Sequence, residues 1–152
     1  MLKALDAGRS PILLTERTSY LEYFANRLRG FARNVIVLRG GMGACQRRDL
    51  AERLSVIPDG EERVLIATGR YVGEGFDDPR LDTLFLVMPI SWRGTLQQYA
   101  GRLHRVNSNK RVVQIYDYVD DQVPVLLRMY EKRLKGYELM GYRASNSSTI
   151  LE

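Results

Sequence analysis

Five short runs of apolar and β-branched residues recur along the chain: "PILLT" (11–15), "NVIVL" (34–38), "RVLIA" (63–67), "TLFLVM" (83–88) and "VVQIYDY" (112–118). The first four are continuous rather than alternating, the pattern of strands covered on both faces of a parallel sheet. Between the runs the hydrophobic period becomes helical. "SYLEYFANRLRGF" sets Leu21, Phe24, Leu28 and Phe31 three and four apart, with Gly30 where a helix stops. "RRDLAERLSVI" repeats the pattern with Leu50, Leu54 and Ile57 before the breaker "PDGEE". The last long element, "DDQVPVLLRMYEKRLKGYELMGY", opens on Asp120 and Asp121 as N-cap candidates and has Pro124 in its first turn. Its stripe of Leu126, Tyr130, Leu134 and Tyr137 predicts a helix docked on the sheet. Strands alternating with helices predict an α/β fold: an open, mainly parallel twisted sheet with helices on both faces and ligand sites at the carboxyl ends of its strands. The expected domain spans residues 8–143, with 1–7 read as a linker remnant and 144–152 as a disordered polar tail ending in a cloning scar.

A chain of 152 residues is the size of one domain, able to bury roughly two thirds of its unfolded surface. No stretch approaches the ~20 apolar residues of a membrane helix and no secretory leader opens the chain, so a cytoplasmic location without membrane partners is expected. One cysteine, Cys45, and one histidine, His104, exclude an internal disulfide and cannot between them build a zinc site. The net charge of +5, from 23 basic and 18 acidic residues, suits a polyanionic partner without requiring one. Most of the basic residues Arg128, Lys132, Arg133 and Lys135 read as the solvated face of the last helix.

Three segments at strand ends carry candidate chemistry. "LRGGMGACQRR" (38–48) lies between a strand and a helix like a dinucleotide fingerprint, but Gln46 stands where the third glycine belongs. The remaining readings are a tight turn, or a place where Gly40 and Gly41 let a phosphate backbone approach main-chain N–H groups beside Arg47 and Arg48. "ATGRYVGEGFDDP" (67–79) ends a strand in glycines and two aspartates. Adjacent carboxylates on an extended turn point apart and make a poor general acid–base pair. Asp77 is instead a candidate for a nucleotide ribose hydroxyl and Thr68 for a phosphate, the alternative being that Asp77 merely caps a turn. The third, "QQYAGRLHR" (97–105), holds Gln98, Gly101, Arg102 and Arg105 as Q-x-x-G-R-x-x-R. On a helix the two arginines are about 60° and about 4.5 Å apart, so both guanidiniums reach one object.

Taken in order, these segments resemble the second, C-terminal lobe of superfamily-two DEAD/DEAH-type helicases and translocases. "PILLTERTSYLEYFA" is similar to motif IV, "ATGRYVGEGFD" to motif V and "QQYAGRLHR" to motif VI. Together with "SWRGTLQQYAGRLHR" and "IYDYVD" they look closest to bacterial type III restriction R-subunit-like helicases. The resemblance implies a RecA-like lobe in which Arg102 and Arg105 are arginine fingers for ATP bound on the first lobe. It further implies that Gln98 couples the lobes, that Gly75, Asp77 and Gly101 line the nucleotide, and that Asp77 meets the ribose. Thr15, Arg17, Gly40, Gly41, Arg47, Arg48 and Thr68 would hold a nucleic-acid strand, DNA being preferred over RNA. The motif V loop is one residue longer than in most relatives, which leaves a neighbour or main chain as the alternative to Thr68. His104 reads as structural or interlobe, and Trp92 as a loop anchor or a base-stacking ring. No G-x-x-x-x-G-K-[ST] and no Asp-Glu box occur, so ATP and Mg2+ would be bound mainly by an N-terminal lobe in the parent chain. A stand-alone nucleic-acid-binding module and a Rossmann-like small-molecule enzyme are the competing readings.

Overall fold

The computed structural model describes residues 1–73, 75–90 and 93–145, with only the backbone of Arg93. The readings of Trp92 and of residues 146–152 lie outside the described residues. Two compact units divide the chain: Met1–Met88 with Gln98–Tyr118, and Pro89–Gln97 with the chain from Val119 on.

The first unit holds the sheet. Its strands are β1 (Pro11–Thr15), β2 (Val35–Leu38), β3 (Val64–Thr68), β4 (Thr83–Leu86) and β5 (Gln114–Asp117), each within two residues of its apolar run at the N-terminal end. They lie in the order β2-β3-β1-β4-β5, and every pairing is parallel. The three inner strands are buried along their whole length, whereas the edge strand β2 alternates. The continuous apolar pattern therefore marks the sheet's centre, where both faces are covered. Register sets Leu13 beside Ile66 and Phe85, and these point to one face with Val64. They pack there with Ala4, Leu5, Leu21, Ala25 and Ala32. Residues 1–7, expected as linker, carry α1 (Leu2–Asp6), whose Ala4 and Leu5 belong to this core.

Helix α2 (Thr18–Leu28) buries Leu21 and Ala25, the inner points of its apolar stripe, while Phe31 beyond its end is exposed. Helix α3 (Ala44–Ser55) buries only Leu50. A one-turn helix, α4 (Gly69–Gly73), follows β3 without a break. Helix α5 (Arg93–Leu103) contributes its last six residues to the first unit and its first five to the second.

The second unit is built on α6 (Pro124–Leu139). Its N-cap is Val123 rather than either aspartate, while Asp120 accepts the Gln122 N–H (3.1 Å) in the preceding turn. Pro124 occupies the first turn as expected. Arg133, expected on a solvated face, is 3% exposed and donates to the Ile90 carbonyl. Arg133 lies three residues from Tyr130 and four from Tyr137, on the apolar stripe itself. The correction follows from geometry: a long aliphatic stem lets a guanidinium enter an apolar face when a carbonyl awaits it.

Candidate functional site

A parallel sheet brings all its carboxyl ends to one edge. This edge therefore collects Thr15 and Arg17 after β1, the 39–43 loop after β2, and Thr68 with the start of α4 after β3, while the crossover from α4 to β4 runs back to set Asp78 against Arg63, just before β3. Helix α5 and the turn after it meet that crossover through two contacts: the Gln98 amide donates to the Gly73 carbonyl (3.2 Å), and Arg105 pairs with Asp77 (3.0 Å). The motif V-like and motif VI-like segments, far apart in sequence, are thus one surface.

Of the two candidate arginines only Arg102 is on the helix; α5 ends at Leu103 and Arg105 follows in a bend. Their relation is therefore set by a turn and not by the helical spacing. Lys110 holds that turn, its ammonium donating to the carbonyls of Leu103 and Arg105 (2.8 Å each). A cation there satisfies carbonyls left over at a helix end and complements the dipole. Burial lowers the Lys110 pKa, with Asp82, Asp78 and Asp77 pulling the other way. Arg102 is half-buried with no ion pair among the described residues, and Gly101 has open space where a side chain would stand. His104 is exposed beside them.

Tyr99 braces the other side of α5. Its ring is 6% exposed and its hydroxyl sits over Gly69, where any Cβ would collide with it; Glu16 approaches the same point. Burial, reinforced by Glu16, pushes the Tyr99 hydroxyl above its ordinary pKa.

The loop from Gly75 to Asp78 turns successive side chains to different neighbours. Gly75 has φ +97°, a left-handed conformation natural to glycine. Phe76 lies against Tyr71, with centroids 5.4 Å apart. Asp77 faces Arg105, while Asp78 is 7% exposed and held by Arg63, Nη2 lying 2.7 Å from Oδ1 and 2.6 Å from Oδ2. Asp78 also accepts the Arg80 N–H (3.0 Å).

Several expected strand contacts have other duties. Thr15 is 1% exposed and Thr68 7% exposed, so neither hydroxyl is presented at the surface. Thr68 Oγ1 instead accepts from Gly40 N (3.3 Å) and Tyr71 N (3.4 Å), tying the β2 loop to α4. That bond engages the Gly40 N–H, and the Arg70 stem packs over Gly40, its Cδ 3.2 Å from where a Cβ would be. Gly41, with φ +79° and open space around it, remains accessible, as do the exposed Arg17, Arg47 and Arg48. Gln46 accepts the Gly43 N–H (3.0 Å) and so begins α3 as half of a capping box. Its position in the broken glycine pattern is a helix-start role.

Sequence reading passed over Lys110, Tyr99, Arg63 and Phe76. A signal existed only for Arg63, a charge opening an otherwise apolar run, and for Phe76, an aromatic amid glycines.

No protein-family model matches the chain. Over 83 residues it is 37% identical to "Uncharacterized protein 108L" of Invertebrate iridescent virus 3, covering 55% of this chain and 75% of the viral protein. The chain belongs to the family of that viral protein. Among solved structures, it resembles the C-terminal part of the Fun30 ATPase domain with a TM-score of 0.67 at 16% identity, over 98% of this chain and 46% of the other. T4 UvsW gives 0.70 at 16% identity over 90% of this chain and 30% of the other. Domain 2 of the DEAD-box helicase Mss116p, solved on an RNA duplex, gives 0.60 at 16% identity over 87% and 50%. The chain therefore has the fold of a RecA-like helicase C-terminal domain, and spans half or less of each of these solved chains.

Proposed function

We propose that the chain is the second motor lobe of an ATP-dependent nucleic-acid helicase or translocase. The observation that carries this reading is the joining of the motif VI-like segment to the motif V-like one, Gln98 to Gly73 and Arg105 to Asp77. The fold shared with helicase C-terminal domains supports it, and the restriction-subunit subfamily rests on the sequence resemblance alone.

The residues present fit the phosphate end of a nucleotide: a half-buried guanidinium without an ion pair among the described residues, a second held by Asp77 just past the helix end, and a glycine that leaves room for approach. No group of three or more potential metal ligands occurs among the described residues. On the sequence resemblance, magnesium would be held by the first lobe. ATP, when bound there, supplies the phosphoryl group that is transferred to water. This chain's part is to place Arg102 and Arg105 against the charge that builds on the transferring group, with Asp77 released to the ribose and Gln98 fixing the loop. Preorganised cations at such a position lower the barrier because they need not reorient as charge develops.

The Arg105–Asp77 pair favours the second reading, a nucleic-acid-binding module, since it occupies two nucleotide-side groups with each other. One variant separates the readings. In the chain that joins both lobes, Arg102→Ala should lower kcat about 10³- to 10⁵-fold with ATP affinity little changed. Arg102→Lys should rescue poorly, because an ammonium lacks the planar fork. Unchanged turnover would remove the motor-lobe reading and leave the binding module.

A further inference from the structure

Within the candidate site, the first turn of α3, helix α4 and the loop after it border an open pocket of about 180 Å³, lined by Arg47, Tyr71, Gly75 and Phe76. This is well under the roughly 300–1,000 Å³ of pockets that enclose a whole small molecule. Its walls are two aromatic rings tilted 46° to each other, Tyr71 deep at 8% exposure and Phe76 half-buried nearer the mouth. Gly75 has nothing within 4 Å of where a Cβ would be, so no side chain from that position closes the opening. Arg47 is exposed and has no ion pair among the described residues. It also stands near the amino end of α3, whose first turn contains no acidic residue. A cation there opposes the helix dipole, a local conflict that a bound anion relieves.

A small recess bordered by an aromatic ring and a guanidinium without an ion pair among the described residues matches the repeat of a single-stranded nucleic acid, a planar base next to a phosphate. We infer that this pocket takes one unpaired nucleobase of the bound strand, stacked on Phe76, with the adjoining phosphate held by Arg47. The inference rests on the strand-binding part of the proposed function and adds to it a contact with a base. Because every base has a π-face, the contact tolerates sequence. A lipid chain or an apolar peptide would leave Arg47 unmatched.

The test uses this 152-residue chain, a fluorescent oligothymidylate, and an abasic oligomer of equal length with the same phosphates. The base-bearing strand should bind about 5- to 100-fold more tightly, the range of a base–aromatic stack. Phe76→Ala should abolish most of that preference and Phe76→Tyr should keep it. Arg47→Ala should weaken both oligomers alike and reduce the salt slope by about 0.7. Equal binding of both oligomers by the unaltered protein, with the salt slope intact, overturns the pocket and leaves the strand reading standing. Binding of neither overturns the strand reading and the pocket with it. Displacement of the oligothymidylate by free AMP from the unaltered protein but not from Phe76→Ala assigns the slot to a mononucleotide and overturns the strand assignment. Should Phe76→Ala fail to fold, the comparison of oligomers on the unaltered protein still decides.

Discussion

Asp77 and Asp78 are neighbours with opposite fates. Asp77 shares an exposed ion pair with Arg105, the two side chains being 40% and 55% accessible, while Asp78 and Arg63 are closed off at 9% and 3%. Removing one member of a buried pair strands the other's charge, whereas an exposed pair is screened by water. Arg63→Met should therefore cost about 3–5 kcal/mol in urea unfolding. Asp77→Asn should stay within about 1 kcal/mol. Equal effects would mean that Arg63 and Asp78 are solvated in solution. Tyr142 offers a second residue-scale check. It packs edge-on against Tyr137, and burial pushes its pKa up to about 12 from 10.0. A group that folding keeps protonated contributes stability in full below its unfolded pKa and loses it as pH rises through the folded one. Tyr142→Phe should accordingly reduce the loss of stability between about pH 10 and pH 12 while changing little at neutrality. A denaturation midpoint followed across that window in both proteins checks it; Tyr99 and Tyr118, also raised, account for a remaining slope.

Among the elements, α5 is the one whose placement the site needs, and its fit depends on an absent side chain. Gly69, first residue of α4, lies under the Tyr99 hydroxyl, and a Cβ there would overlap the ring's end. Gly69→Ala should destabilise the protein by about 1–3 kcal/mol, the usual cost of overpacking. Adding Tyr99→Phe should recover part of that, since the phenol oxygen is the nearest atom but the ring carbon behind it is also close. Strict additivity of the two changes would show that α5 adjusts elsewhere. Such a close approach is invisible in the linear pattern, where Gly69 reads only as a break after a strand. Helix α3, by contrast, buries a single side chain, and its apolar stripe of Leu50, Leu54 and Ile57 indicated more contact than it makes.

For the whole molecule, the missing phosphate cradle and the gathered cations make two measurable statements. On the motor-lobe proposal the isolated chain should hydrolyse no ATP above background, since its sequence carries no G-x-x-x-x-G-K-[ST] and no Asp-Glu box. Turnover that survives further purification would contradict this. With three or four strand phosphates engaged, log K against log salt should fall with a slope of about −2 to −3 on single strands. The accessible candidates are Arg17, Gly41, Arg47 and Arg48, whereas Thr15 and Thr68 are buried and Thr68 engages the Gly40 N–H. A slope near zero would mean that this edge does not meet a polyanion.

Local repetition made much of this legible in the amino-acid order. Continuous apolar runs marked the strands, the helical period marked α2, α3 and α6, and parallel crossovers then required the segments that follow β2 and β3 to begin at one edge. These features survive any tertiary detail because each is stated many times along a short stretch. Partner choice is stated once and across a distance. Arg63 meets Asp78 fifteen residues away, Arg105 meets Asp77 across twenty-eight, and Arg133 reaches Ile90 across forty-three. Arg63 opens an apolar run and Arg133 lies on an apolar stripe, but nothing near any of these residues names the partner it will meet. The same holds for the turn that carries Arg105 past the end of its helix and for the lysine that secures it. Which side chains reach solvent, and which only hold those that do, was decided by the fold, because burial depends on what the rest of the chain brings to each position.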